Sequence, residues 1–167
     1  MASRMIARLS EFLRLTLESA GEQEVTLRRE LEYLSRYIQI EQLRFGDRLT
    51  VDQQVDPEVL EALVPNLILQ PLVENAIKHG VSRRRGPARI FVEAVRENGS
   101  LTIRVRDNGV GMQAADGGLF KEGLGIRNTR ARMQHLYGAA QGFELSTPAG
   151  GGVDVRLTIP YHKSRVA

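Results

Sequence analysis

Apolar side chains recur along the first 45 residues at three- and four-residue intervals, the spacing that lines one face of a helix. Ile6, Leu9, Leu13, Thr16 and Leu17 form one such stripe, widened by Met5 and Phe12. They predict a helix over residues 2–20, ended by Gly21. A second stripe of Leu27, Leu31, Leu34, Ile38 and Phe45 is flanked by Glu30, Glu32, Arg36, Glu41 and Arg44 and predicts a helix over 27–45. Thr26 stands where an N-cap is expected. Two such helices in succession suggest an antiparallel pair or part of a bundle.

The period then changes. Leu49, Val51, Gln53 and Val55 alternate as a strand does, and Asp56-Pro57 closes it. A helix is expected over 66–79, stopped by Gly80 where left-handed geometry is needed, with Pro71 removing a backbone bond or kinking its first turns. Residues 89–95 and 101–107 read as a hairpin joined across Asn98-Gly99. Residues 108–124 are glycine-rich and without period. A helix over 126–137 carries Ile126, Thr129, Met133, Leu136 and Tyr137 on one face and ends at Gly138. In the last two strands Phe143 and Leu145 alternate, then Val153, Val155, Leu157 and Ile159, with Asp154, Arg156 and Thr158 expected to face water. The order predicts an α+β fold, a two-layer sandwich of one sheet under a few helices.

Composition narrows the function classes. Of 167 residues, 42 % are hydrophobic and 26 % charged, enough for a core without metals or disulfides. There is no cysteine, which excludes thiol nucleophiles and thiolate metal sites and fits the cytoplasm. A net charge of +3, with no aromatic-rich basic stripe, argues against nucleic acid as a partner. The most apolar stretch, residues 62–73, is short and broken by Pro65, Asn66, Gln70 and Pro71, so no membrane span is expected. No export signal is visible.

Chemistry concentrates in four segments: Glu74 to Gly80, Asp107-Asn108-Gly109-Val110-Gly111, Gly123-Leu124-Gly125-Ile126-Arg127-Asn128, and Gly150-Gly151-Gly152. Asp107 continues the side-chain parity of Leu101, Ile103 and Val105, so its carboxylate points to the apolar side of the strand. A carboxylate there needs a donor or costs several kcal/mol, and the amino group of a purine is one such donor. The plainer reading, a second hairpin turn, requires an alternating strand directly afterwards, and residues 110–122 do not alternate. Gly109 and Gly111 let a flat ligand approach the backbone. Glu74 and Lys78 are four apart, as are Asn75 and His79. A surface ion pair of about 0.2–0.5 kcal/mol accounts for the first two but leaves Asn75 unexplained in an apolar stretch. The chemical reading gives Mg²⁺ an oxygen from Asn75, lets Glu74 orient or deprotonate a nucleophile, and sets Lys78 against phosphate. The Gly123 segment is not a dinucleotide fingerprint, because Asn128 replaces the third glycine and no strand precedes it. It is a loop feeding a helix N-terminus, a place that favours phosphate. His79 reads as a supporting residue, His135 and His162 as surface residues, and Arg83-Arg84-Arg85 as a solvated loop.

The ordered set Glu-Asn-Ala-x-Lys-His-Gly, Asp-x-Gly-x-Gly and Gly-x-Gly-x-x-Asn resembles the GHKL (Bergerat) ATP-binding fold. Residues 32–45 and Leu69-Gln70-Pro71-Leu72-Val73 resemble LytS-like sensor histidine kinases in particular, and the likeness runs from about Leu9 to Pro160. The resemblance implies ATP and Mg²⁺ as ligands. Asp107 would meet the adenine amino group, Gly109 and Gly111 would line the adenine site, and Asn75 would hold Mg²⁺. Glu74 would be the acid/base, and Lys78 would face phosphate with His79 beside it. Gly123, Leu124 and Gly125 would hinge a lid formed by residues 110–122, with Asn128 at the phosphate-facing helix start. It also implies a phosphoacceptor helix and a response regulator as partners, homodimer formation, and a division into a helical segment, 1–46, and a catalytic domain, 47–167. Val153 stands where the family has threonine, and the family's His-Phe-Leu-Phe-Asn acceptor segment is not found, which reads as a truncated or excised piece. An anti-sigma-type serine kinase, or a nucleotide-dependent binding module without transfer chemistry, are the alternatives.

Overall fold

The structure, a computed structural model, describes residues 2–18, 20–81, 86–111 and 123–164. Helix α1 (Ala2–Glu18) leads through a short strand, β1 (Glu24–Thr26), into α2 (Leu27–Phe45). Thr26 is the N-cap of α2, its Oγ1 accepting the Arg29 N–H at 3.3 Å. Strand β2 (Leu49–Val55) follows, then β3 (Leu63–Pro65) and α3 (Leu69–Ala76). The hairpin β4 (Ala88–Glu97) and β5 (Ser100–Asp107), helix α4 (Leu124–Tyr137), β6 (Gly142–Ser146) and β7 (Asp154–Pro160) complete the chain.

Five strands form one sheet in the order β2-β4-β5-β7-β6, and β1 pairs with β3 in a small second sheet. Only the β2–β4 pair of the large sheet is parallel. The β4–β5 turn is built on Asn98 and Gly99, at φ 49° and 80°, as an Asn-Gly hairpin requires. Alternation puts Ile90, Val92, Ala94, Leu101, Ile103, Val105, Val155, Leu157 and Ile159 in the core. Against them pack Leu34 of α2, Leu69, Leu72 and Val73 of α3, and Ile126 and Met133 of α4. Each fully buried Leu or Ile contributes about 1.5–3 kcal/mol. The predicted α+β two-layer sandwich is the observed one. Its core runs unbroken across residue 46, since Val25, Leu27, Leu34 and Ile38 belong to the same cluster as the sheet residues.

Several expectations change. Strands β1 and β3 are too short to show a period, and α3 begins at Leu69 rather than 66. Pro71 therefore lies in the first turn, where its missing N–H has no intrahelical partner to lose. Helix α3 runs on into a π-type turn, Ile77–Val81. Gly80 is not among the residues at positive φ, so it is no left-handed stop. Asp154 does not face water: it is 6 % exposed and accepts both Nε and an Nη of Arg104 across the open face of the sheet. Glu30, read as a flanking polar residue, is 1 % exposed. His162 is half-buried, its Nε2 3.0 Å from Glu24 Oε1. On α1, Phe12 is buried with its ring centroid 6.2 Å from that of Tyr37 on α2, whereas Ile6, Leu9, Leu13 and Leu17 are exposed. Arg83, Arg84, Arg85 and most of the expected lid, residues 112–122, lie outside the described residues.

Candidate functional site

Strand β5 ends at Asp107, which keeps the inward parity of Leu101, Ile103 and Val105 and is 6 % exposed. Its Oδ1 accepts the Gly109 N–H at 2.7 Å. Burial pushes the carboxyl above its ordinary range, and the backbone N–H groups of Gly109 and Val153 pull the other way. Such a group gains from a further donor brought by a ligand. Val153, which lacks the hydroxyl of the family's threonine, contributes backbone instead: its carbonyl accepts the Asp107 N–H at 3.0 Å.

Close approach explains the glycines around Asp107. A methyl group on Gly109 would meet Gly80 Cα at 2.5 Å and Asp107 Oδ1 at 2.7 Å. One on Gly80 would meet Asp107 Oδ1 at 3.3 Å, so Gly80 brings the end of α3 against the carboxylate. Gly152, at φ 81°, would place a Cβ 1.9 Å from the Asp107 carbonyl oxygen. Gly111 is enclosed by the same loop, its would-be Cβ 2.9 Å from Thr147 Cγ2. Gly80 and Gly152 were not singled out in the sequence as residues that shape this site. Their signals were present, in the Glu74–Gly80 motif and the glycine triplet, but the contacts that require them cross 27 and 45 residues of chain.

On the other side of the Ile77–Val81 turn lies a cleft of about 340 Å³. Glu74, Asn75, Lys78 and His79 line it from α3 and the turn, and Gly123, Leu124, Gly125 and Asn128 line it from the start of α4. Eight of the predicted residues thus share one cleft. Asp107, Gly109 and Gly111 do not line it; Asp107 and Gly109 adjoin the turn that follows α3 through their close approach to Gly80. Asn75 is buried, and its Oδ1 would lie 3.8 Å from a Cβ on Gly123. Glu74 and Lys78 are exposed. Gly125 is the second residue of α4, its would-be Cβ 3.3 Å from Pro71 Cβ, so it lets α4 pack closely on α3. Gly123 is the N-cap of α4 and provides no side chain, which leaves the first N–H groups of the helix directed to the cleft without a side-chain cap. A buried amide oxygen, an exposed carboxylate, an ammonium and a helix N-terminus make a donor set that fits a nucleotide triphosphate carrying Mg²⁺.

The family described as "Histidine kinase" matches residues 1–49, and "Histidine kinase-, DNA gyrase B-, and HSP90-like ATPase" matches residues 62–163. The chain is 37 % identical over 172 aligned positions to Sensor protein LytS of Staphylococcus haemolyticus, covering 96 % of this chain and 29 % of that protein. It is 32 % identical to Sensor histidine kinase YpdA of Escherichia coli, covering 99 % of this chain and 30 % of that one. The chain therefore spans somewhat under a third of the curated relatives it matches. Among solved structures, the histidine kinase domain from Erythrobacter litoralis EL346 blue-light activated histidine kinase shares the fold with a TM-score of 0.61 at 23 % identity, over 93 % of this chain and 74 % of that one. The catalytic domain of histidine kinase ThkA does so with a TM-score of 0.59 at 18 % identity, over 84 % and 97 %. With that ATPase description matched over residues 62–163, this chain belongs to the histidine kinase-, DNA gyrase B-, and HSP90-like ATPase family, and its first 49 residues are similar to the histidine kinase family.

Proposed function

We propose that the chain binds Mg-ATP between β5, α3 and α4 and transfers the γ-phosphoryl group to a histidine outside these 167 residues, from which it passes to an aspartate of a response regulator. The observation that carries this reading is the buried Asp107 carboxylate, pressed by Gly80 against the end of the helix that presents Asn75 and Lys78. Asp107 would accept the adenine amino group beside Gly109 and Gly111. Asn75 would hold Mg²⁺, which screens phosphate charge when bound. Lys78 and the N–H groups at the start of α4, with Leu124 and Asn128, would take the phosphates, and His79 would support Lys78. Glu74 would accept the proton of the attacking imidazole as the nitrogen–phosphorus bond forms and the bond from the γ-phosphorus to the bridging oxygen breaks, releasing ADP. Such catalysis rests on positioning and charge stabilisation.

The same reading assigns residues 1–46 to dimerisation and presentation of the acceptor and residues 47–167 to catalysis. The exposed stripe of Ile6, Leu9, Leu13 and Leu17 supports self-association of α1 as a homodimer. Among the described residues no helix is long and apolar enough to cross a membrane, and a cytoplasmic location suits the use of ATP. The test is to supply γ-labelled Mg-ATP and a separate acceptor-helix polypeptide of this family. Acid-labile label on the acceptor, lost on Glu74→Gln, supports the proposal. Nucleotide binding without transfer in the parent chain points to a binding module instead.

A further inference from the structure

Helix α3 starts without a side-chain cap of its own: its N-cap position is Ile68, preceded by Leu67 at φ 57°. A non-glycine residue in that region is strained and is held there by its surroundings. The holding group comes from α2. Glu30 Oε1 accepts the Leu67 N–H at 2.5 Å, and Oε2 accepts those of Ile68 at 2.9 Å and Leu69 at 3.1 Å. These are N–H groups that a helix start leaves without intrahelical partners, and negative charge is favourable there. The same segment is tied on two further sides. Arg132 of α4 donates to the Asn66 carbonyl, and the Asn66 N–H and Nδ2 bond the carbonyls of Gln23 and Glu22. Near the other end of α3, the hydroxyl of Tyr37 on α2 has its pKa raised by burial first, and then by the Glu41 and Glu74 carboxylates.

We infer that Glu30 is a positioning residue for phosphoryl transfer: its carboxylate fixes the start of α3 to α2 and so sets where Asn75, Lys78 and Glu74 stand in the cleft. The inference rests on the nucleotide reading of that cleft. It makes the Glu30 clamp the link through which a shift of α2, the helix that follows α1, reaches the Asn75–Lys78 turn. Glu30 touches no ligand itself, being 1 % exposed and enclosed by the 67–69 backbone. A carboxylate accepts from all three N–H groups, whereas an amide at this position has one oxygen acceptor and turns an NH₂ toward the remaining donors.

The experiment compares the parent chain with Glu30→Gln at about pH 8, where the carboxyl is ionised, and at a temperature where both are folded by circular dichroism, measuring Mg-ATP affinity by calorimetry and amide hydrogen exchange by residue. Expected is roughly a tenfold or greater loss of affinity. Faster exchange should be confined to residues 66–81, with β4, β5 and β7 unchanged. Parent-like affinity together with parent-like exchange in 66–81 overturns the proposal, as does acceleration spread evenly through the sheet, which marks general destabilisation. Should Glu30→Gln not fold, Glu30→Asp keeps the charge but shortens the reach, and the same local pattern is expected from it. If the parent chain binds no Mg-ATP, the nucleotide reading fails. The exchange pattern then still decides whether Glu30 sets the position of α3.

Discussion

Gly80 and Gly109 meet backbone to backbone: the first carbon of any side chain on Gly109 would stand 2.5 Å from Gly80 Cα, with the Asp107 carboxylate 2.7 Å away. Two glycines far apart in sequence thus bring the end of α3 against the last residue of β5. Gly109→Ala forces that contact open and moves either the carboxylate or the Ile77–Val81 turn. Overpacking of this kind costs about 1–3 kcal/mol. A melting midpoint lower by roughly 2–12 °C is expected, with Mg-ATP binding weakened further than the loss of stability accounts for.

Across the sheet's open face, Arg104 and Asp154 form an uneven pair, with side chains 43 % and 8 % exposed. Removing the arginine leaves a buried carboxylate without its charged partner; removing the carboxylate leaves an arginine that water can reach. Arg104→Ala is therefore expected to cost about 1–3 kcal/mol and Asp154→Ala less, on the order of 1 kcal/mol. Urea unfolding of both variants checks the order, and the reverse order contradicts it.

Burial raises the Glu30 carboxyl from an ordinary 4.5 to about 7, against the pull of the Leu69, Leu67 and Ile68 N–H groups and of Arg132. Between those two values the folded chain holds a proton that the unfolded chain has released. Stability from this group is thus fully present below pH 4.5 and lost as pH rises through 7. Relative to Glu30→Gln, the parent chain is expected to lose about 3 kcal/mol across that window in urea titrations at stepped pH. A difference that stays flat with pH contradicts the buried, proton-holding carboxyl.

His162 behaves with the same sign for a different reason. Burial, its largest single influence, pulls the imidazole pKa down, but the Pro160 carbonyl and Glu24 carboxylate together raise it above 6.5. The stabilisation is present below pH 6.5 and fades as pH rises through the folded value. The Tyr137 hydroxyl also donates to Glu24, at 2.5 Å, so Glu24 joins β1, the end of α4 and the residues after β7. Glu24→Gln should destabilise the chain more at pH 6 than at pH 8, by a small margin suited to a half-exposed pair.

Local rules in the sequence carried much of this structure. The α2 limits followed from Thr26 and the stripe of Leu27, Leu34 and Ile38, the hairpin from Asn98-Gly99, and the inward aim of Asp107 from strand parity. The α3 and α4 motifs do share one cleft, which their order alone could not establish. What escaped depends on partners distant in the chain. Glu30 reads as a solvated helix residue until residues 67–69 come to it, and Asp154 as an outward strand residue until Arg104 reaches it from a diagonal position on β5. His162 reads as tail until Glu24 meets it, and β1 and β3 are three-residue strands defined only by each other. Gly80 was legible as a necessary glycine but for the wrong reason, since its constraint is the Asp107 carboxylate rather than its own φ.

The nucleotide reading turns on Asp107, and calorimetric titration of Mg-ATP into the parent chain and into Asp107→Asn measures it directly. The asparagine keeps size and one oxygen but loses the charge-assisted acceptor, so affinity should weaken about tenfold to a hundredfold, equivalent to about 1–3 kcal/mol. Equal affinity in both chains, each folded by circular dichroism, would contradict the placement of the adenine amino group at Asp107.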